Sequence, residues 1–76
     1  MAKLSNISRR RVLSALRSLG FEIDTSRGTG SHAMVFHPTE PERCTTLANK
    51  DPVPKGTLRK MLSDLRLTRT EFQDRL

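Results

Sequence analysis

"FEIDTSRGTGSHAMVFHP", residues 21–38, is the stretch on which the fold turns. Its first six residues alternate, with Phe21, Ile23 and Thr25 set against Glu22, Asp24 and Ser26, the period of a half-buried strand. Gly28 and Gly30 then break the pattern, and a second strand is predicted from about Ser31 to His37, stopped by Pro38. Thr39 to Glu42 reads as a loop into a short third strand, Arg43 to Ala48. Three strands joined by turns predict an antiparallel meander.

Helical punctuation stands on both sides of it. Ser8 is a good N-cap, Ile7 and Val12 occupy the two positions of a hydrophobic staple, and Gly20 offers a C-terminal stop. Between them Val12, Leu16 and Leu19, flanked by Leu13 and Ala15, form one apolar face, so an amphipathic helix is predicted over Ser8 to Leu19. Beyond the meander, Asn49 to Lys55 carries two prolines and reads as a connection. Leu58, Met61, Leu62 and Leu65 follow at i, i+3, i+4 and i+7 and predict a second helix. Thr68 with Glu71 makes a capping box and Leu67 with Phe72 a second staple, which places a short last helix over Arg69 to Arg75. The fold class is therefore α+β: helix, three-stranded antiparallel sheet, helix and a short C-terminal helix, with the main helices on one face of the sheet. That order matches a double-stranded-RNA-binding-domain-like fold.

The 76 residues read as one domain (1–76), with room for one small core and none for a lobe that closes over a substrate, so any site is shallow. Lys and Arg number 14 against 8 Asp and Glu, a net charge of +6. Ten of these cations are arginines, whose planar fork suits bidentate phosphate contacts. A polyanion or an acidic protein is the expected partner. No apolar run is long enough for a membrane span or a signal-peptide core, and the expectation is a soluble, cytoplasmic chain, monomeric on its own. The single Cys44 and two histidines of unrelated spacing make neither an internal disulfide nor a zinc set, so no metal or cofactor is expected. With no Trp or Tyr and only three Phe, base-stacking platforms are nearly absent, and contact with nucleic acid must lean on charge and backbone.

The charge breaks one local rule. Arg9, Arg10 and Arg11 sit in the first turn of the first helix, where the macrodipole is positive and each cation costs roughly 0.3–1 kcal/mol. Such violations concentrate where function demands them, and the cluster is a candidate surface for RNA or an acidic partner. The plainer explanation is a solvated basic turn. Arg17 lies two turns from Arg10, and Lys55, Arg59 and Lys60 gather at the start of the second helix, together making a positive surface on which Lys55 and Arg59 are further candidates for contact with RNA.

The stretches "ALRSLGF" (15–21), "GSHAMVFHP" (30–38) and "KGTLRKML" (55–62), with Ile7 and Ser8 opening the first helix, resemble in order and spacing the HicA family of toxins, small mRNA interferases of HicA–HicB toxin–antitoxin systems. The resemblance covers most of the chain. It implies the double-stranded-RNA-binding-like fold, cleavage of mRNA, neutralisation by a HicB-type antitoxin, and a catalytic histidine at His32. Two positions depart from the family pattern. Leu47, Ala48 and Asn49 stand where the third strand commonly ends in a Val-Pro-x-His type segment, so a second histidine is missing, and Arg11 occupies a position that is often acidic.

The chemistry of His32 can be argued without the family. RNA carries its own nucleophile in the 2′-hydroxyl, so cleavage needs a base for that proton, an acid for the leaving 5′-oxygen, and donors for the phosphorane charge. An imidazole, ordinarily titrating near about 6.5, suits both proton steps without a metal. Gly28 and Gly30 would let backbone N–H groups approach a phosphate, with the Ser31 hydroxyl a further donor and Arg27 a clamp. On the residues alone, glycines between strands more often serve turn geometry, and a histidine at the mouth of a hairpin is more often a tolerated polar residue. Strand alternation puts His37, five residues on, on the opposite face from His32, leaving it an exposed strand-end residue. The same parity puts Met34 and Phe36 with His32; if those two are core, His32 lies at the edge of the buried face. The alternative to a toxin is a non-catalytic module that holds double-stranded RNA by shape and phosphate contacts. A third reading is a structural protein whose open sheet edges a partner covers.

Overall fold

The computed structural model describes residues 6–25 and 32–76. Its elements run α1 (Arg9–Ser18), β1 (Glu22–Asp24), β2 (His32–Phe36), β3 (Cys44–Ala48), α2 (Lys55–Leu65) and α3 (Arg69–Gln73). The three strands form one antiparallel sheet in the order β1-β2-β3. The expected α+β architecture is the one observed.

Local chemistry sets the helix boundaries. The Ser8 hydroxyl accepts from the Arg11 N–H at 3.2 Å and satisfies one orphan donor of α1. At the other end Gly20, at φ +95°, lets its own N–H reach the Arg17 carbonyl and the Phe21 N–H reach Leu16, a Schellman termination. That termination shortens β1: the Phe21 N–H points back into the helix cap, so the strand starts at Glu22 instead of Phe21. Helix α2 ends in the same hydrogen-bond pattern with Arg66 at φ 56° in place of glycine. The Thr68–Glu71 capping box forms, with Leu67 and Phe72 both buried beneath it. Helix α3 closes at Gln73 instead of Arg75 because the last N–H groups turn to i−3 carbonyls.

The core lies between the helices and one face of the sheet. Val12, Leu13, Ala15 and Leu16 of α1, Leu58, Met61, Leu62 and Leu65 of α2, and Phe72 of α3 pack with Val35 and Leu47 into one cluster. Burying each of these larger side chains stabilises the fold by roughly 1.5–3 kcal/mol. A bridge between Ile7 and Val53, with the Val53 N–H on the Ile7 carbonyl at 2.8 Å, ties together the chain entering α1 and the chain entering α2.

The register decides which residues look outward. Ala33 and Val35 of β2 are buried, and they face the helices with Leu47 and Thr45 of β3. His32, Met34 and Phe36 therefore share the outer face, beside Glu22 and Asp24 of β1 and Cys44, Thr46 and Ala48 of β3. Met34 and Phe36 are half-buried there and are not core. The condition that would have put His32 at the edge of the buried face is not met: it stands exposed on the open side of the sheet. The one buried polar side chain among the described residues, Thr45 on the inner face, donates from its hydroxyl to Asp64 of α2 at 2.8 Å.

Candidate functional site

His32 opens β2 and pairs across the sheet with Ala48, the last residue of β3. Directly opposed residues share a face with Cβ atoms about 4.5–5.5 Å apart. Arg9, the first residue of α1, sends its guanidinium Nε to the carbonyl of that same Ala48 at 3.4 Å. One end of the sheet thus brings together the start of β2, the end of β3 and the first turn of α1. An arginine 23 positions away in sequence from His32 is anchored on the residue that His32 pairs with.

The first turn of α1 is relieved from outside the helix. No acidic residue lies within it, but the Asp51 carboxylate accepts the Arg9 backbone N–H at 3.1 Å. An anion supplied by the connection before α2 sits where the helix dipole favours it, against three successive cations. Arg10 and Arg11 remain exposed beside it. Arg27, Gly28, Gly30 and Ser31 lie outside the described residues.

The cations of α2 separate into two groups. Lys60 is committed to Asp64, with Nζ 2.7 Å from Oδ2. Hydrogen bonds from Lys60 and then Thr45 hold the Asp64 carboxyl below its ordinary pKa. Lys55 and Arg59 instead line a groove of about 240 Å³ with Leu62, Leu67 and Arg69, away from the sheet. The three basic residues read from sequence as one patch at the start of α2 do not act as one.

Asp24 was not singled out from the sequence. Paired with Met34 on the outer face, it stands one diagonal step from His32, a Cα separation of about 7–8 Å in a regular sheet. It is the described carboxylate nearest to His32 by register. The alternation of Phe21 to Ser26 already put Asp24 on the polar face; what was missing was the pairing that sets it against His32.

His37 behaves differently from the expectation of an exposed strand-end residue. Its side chain is 19% exposed. Nδ1 accepts from the Thr39 N–H at 3.2 Å, which leaves the ring proton on Nε2, 3.8 Å from Glu40. The ring meets Phe21 edge-on at 5.4 Å. Arg43 lies over the same Phe21, 5.1 Å from its centroid, and donates to Glu40 at 3.2 Å and to the Leu65 carbonyl at 2.7 Å. This end of the sheet is a structural clamp. Among the described residues no group of three or more His, Cys, Asp or Glu is placed to hold a metal ion, and no helix is long and apolar enough to cross a membrane.

Comparison with known proteins yields one family. The family model described as the HicA toxin of bacterial toxin–antitoxin matches residues 9–67, from the first residue of α1 to the turn after α2. A search of curated proteins gives no match.

Proposed function

We propose a ribonuclease mechanism on one premise: this chain belongs to the HicA toxin family, the toxins of bacterial toxin–antitoxin systems. The chain is a metal-independent endoribonuclease that cuts mRNA, and a HicB-type antitoxin neutralises it. His32 takes the proton of a ribose 2′-hydroxyl as the 2′-oxygen attacks the adjacent phosphorus. The bond from phosphorus to the 5′-oxygen breaks, that oxygen takes up a proton, and the upstream fragment keeps a 2′,3′-cyclic phosphate. Arg9, Arg10 and Arg11 hold the substrate backbone, and Arg27, Gly28, Gly30 and Ser31 supply donors to the scissile phosphate. The place of action is the cytoplasm, where mRNA is found.

The observation that supports this reading is the convergence of His32 and Arg9 on Ala48: an exposed imidazole pairs across the sheet with the residue whose carbonyl anchors the Arg9 guanidinium, both at one end of the sheet. A proton acceptor beside a phosphate-binding cation is what 2′-hydroxyl attack requires, and the site is shallow enough for a single strand to lie across it. The test is cleavage of a purified single-stranded RNA in EDTA by the wild type and by His32→Ala, with circular dichroism on both. The expected result is a loss of about 100-fold or more in rate with the fold unchanged. Equal cutting by both proteins would overturn the assignment. Binding without cutting by either would make the chain the double-stranded-RNA-binding module whose fold it shares.

A further inference from the structure

The groove on α2 and the turn into α3 has no part in the mechanism above. Lys55, Arg59 and Leu62 stand at i, i+4 and i+7, one stripe of α2, and Arg69 completes the opposite wall across Leu67. Leu62 and Leu67 are the floor, nearly buried at 8% and 9% exposure, while Lys55, Arg59 and Arg69 form an exposed rim. No carboxylate lines the groove, and among the described residues none pairs with these three cations. The groove lies in the helical layer, whereas His32 stands on the sheet face that this layer leaves open.

We propose that this groove anchors an acidic, leucine-bearing peptide segment of the protein partner, at a site separate from the one that performs cleavage. The proposal rests on the family assignment for the existence of that partner. Its chemistry comes from the groove: carboxylates complement three unpaired cations, and an apolar side chain covers the two leucines. RNA matches only half of this surface. A phosphate backbone would meet the rim but has no use for a floor of two leucines, and no aromatic ring lines the groove for a base to stack on. Arg69 lies beyond residues 9–67, so one wall of the groove comes from outside the segment that defines the family. An anchor in the helical layer lets a partner hold the toxin without contacting His32, and a second contact from the same partner then gains from the raised local concentration.

The test is a fluorescence titration with a synthetic acidic peptide, one leucine flanked by glutamates and aspartates. It uses the wild-type chain and the double variant Arg59→Glu with Arg69→Glu, two exposed positions whose exchange leaves the core intact. The wild type should bind and the variant should bind about tenfold more weakly or less. A peptide with serine for leucine should lose most of the remaining affinity, and saturating peptide should leave RNA cleavage by the wild type unchanged. Equal binding by both proteins, or equal binding of the serine peptide, would overturn the proposal. So would loss of RNA cleavage in the variant, which would make the groove part of the RNA surface. The peptide titration needs no RNA, so failure of the ribonuclease mechanism would show separately, as a wild type that binds peptide and does not cut.

Discussion

The two histidines flank opposite ends of the same strand, and their surroundings have nothing in common. His32 opens β2 on the outer face, exposed, opposite the residue on which Arg9 is anchored. His37 follows the end of β2 on the inner side, its ring held by Thr39, Phe21 and Glu40. Around His37 the neighbours satisfy each other: Arg43 closes on Leu65, Glu40 and Phe21 at once, tying the start of β3 to the end of α2. Around His32 stand Ala48, directly opposite it, and Asp24, one diagonal step away on the same outer face, with Arg9 anchored on the Ala48 carbonyl. A side chain built into a closed network holds the fold, whereas an exposed one on an uncovered sheet face can be reached from solvent.

That contrast can be broken by exchanging the outcomes. His32→Ala should remove RNA cleavage by about two orders of magnitude and leave the melting temperature nearly untouched; a large fall in Tm would mean that this end of the sheet is structural as well. Arg43→Ala should do the reverse. It deletes the contact to the Leu65 carbonyl and the cation over Phe21, and a loss of about 2 kcal/mol, or on the order of 10 °C in Tm, is expected by thermal unfolding with cleavage per folded molecule unchanged. His37→Ala should cost about 1 kcal/mol by the same measurement, since an edge-on ring contact and one accepted hydrogen bond go with it. A drop in cleavage exceeding the loss of folded protein would instead recruit His37 to the chemistry. The smallest effect concerns acid. Asp64 has its folded pKa lowered by Lys60 and Thr45, so its contribution to stability is present above its unfolded pKa and is lost as pH falls through the folded value. Asp64→Asn should flatten the acid limb of a Tm-against-pH curve below about pH 4, an effect of only a few tenths of a kcal/mol because the pair is screened by solvent. An unchanged acid limb would show that the Thr45–Asp64–Lys60 contact does not couple β3 to α2.

Much of the fold was legible because its signals are local. Ser8, Gly20 and the Thr68–Glu71 box cap the helices by contacts within a few residues, and the structure keeps each one. The spacing of Leu58, Met61, Leu62 and Leu65 predicts the buried face of α2, and all four are buried. The strand HAMVF was legible as a strand but not as a face. Ala33, Met34, Val35 and Phe36 are apolar at both parities, so alternation alone could not say whether His32 looked inward or outward. Pairing with β3 decides it, because Thr45 and Leu47 take the inner positions with Ala33 and Val35.

The candidate site divides in the same way. His32 stands out from residue type and from the family resemblance, and the three arginines stand out because they violate the helix dipole. Their relation to His32 does not. Arg9 reaches Ala48 across 39 positions, Asp51 reaches back 42 to relieve the helix end, and Asp24 meets His32 only through the register of β1 on β2. The sequence by itself determined the elements, their caps, the basic surface and the candidate imidazole, since each depends on residue type or on contacts a turn apart. Only the tertiary structure decided which sheet face is open, which cation is anchored on the residue paired with His32, which histidine is locked into the fold, and that Lys55 and Arg59 share a groove with Leu67 and Arg69 instead of with Lys60. Those are questions of which distant residues meet, and strand register and helix docking settle them through the packing of the whole core.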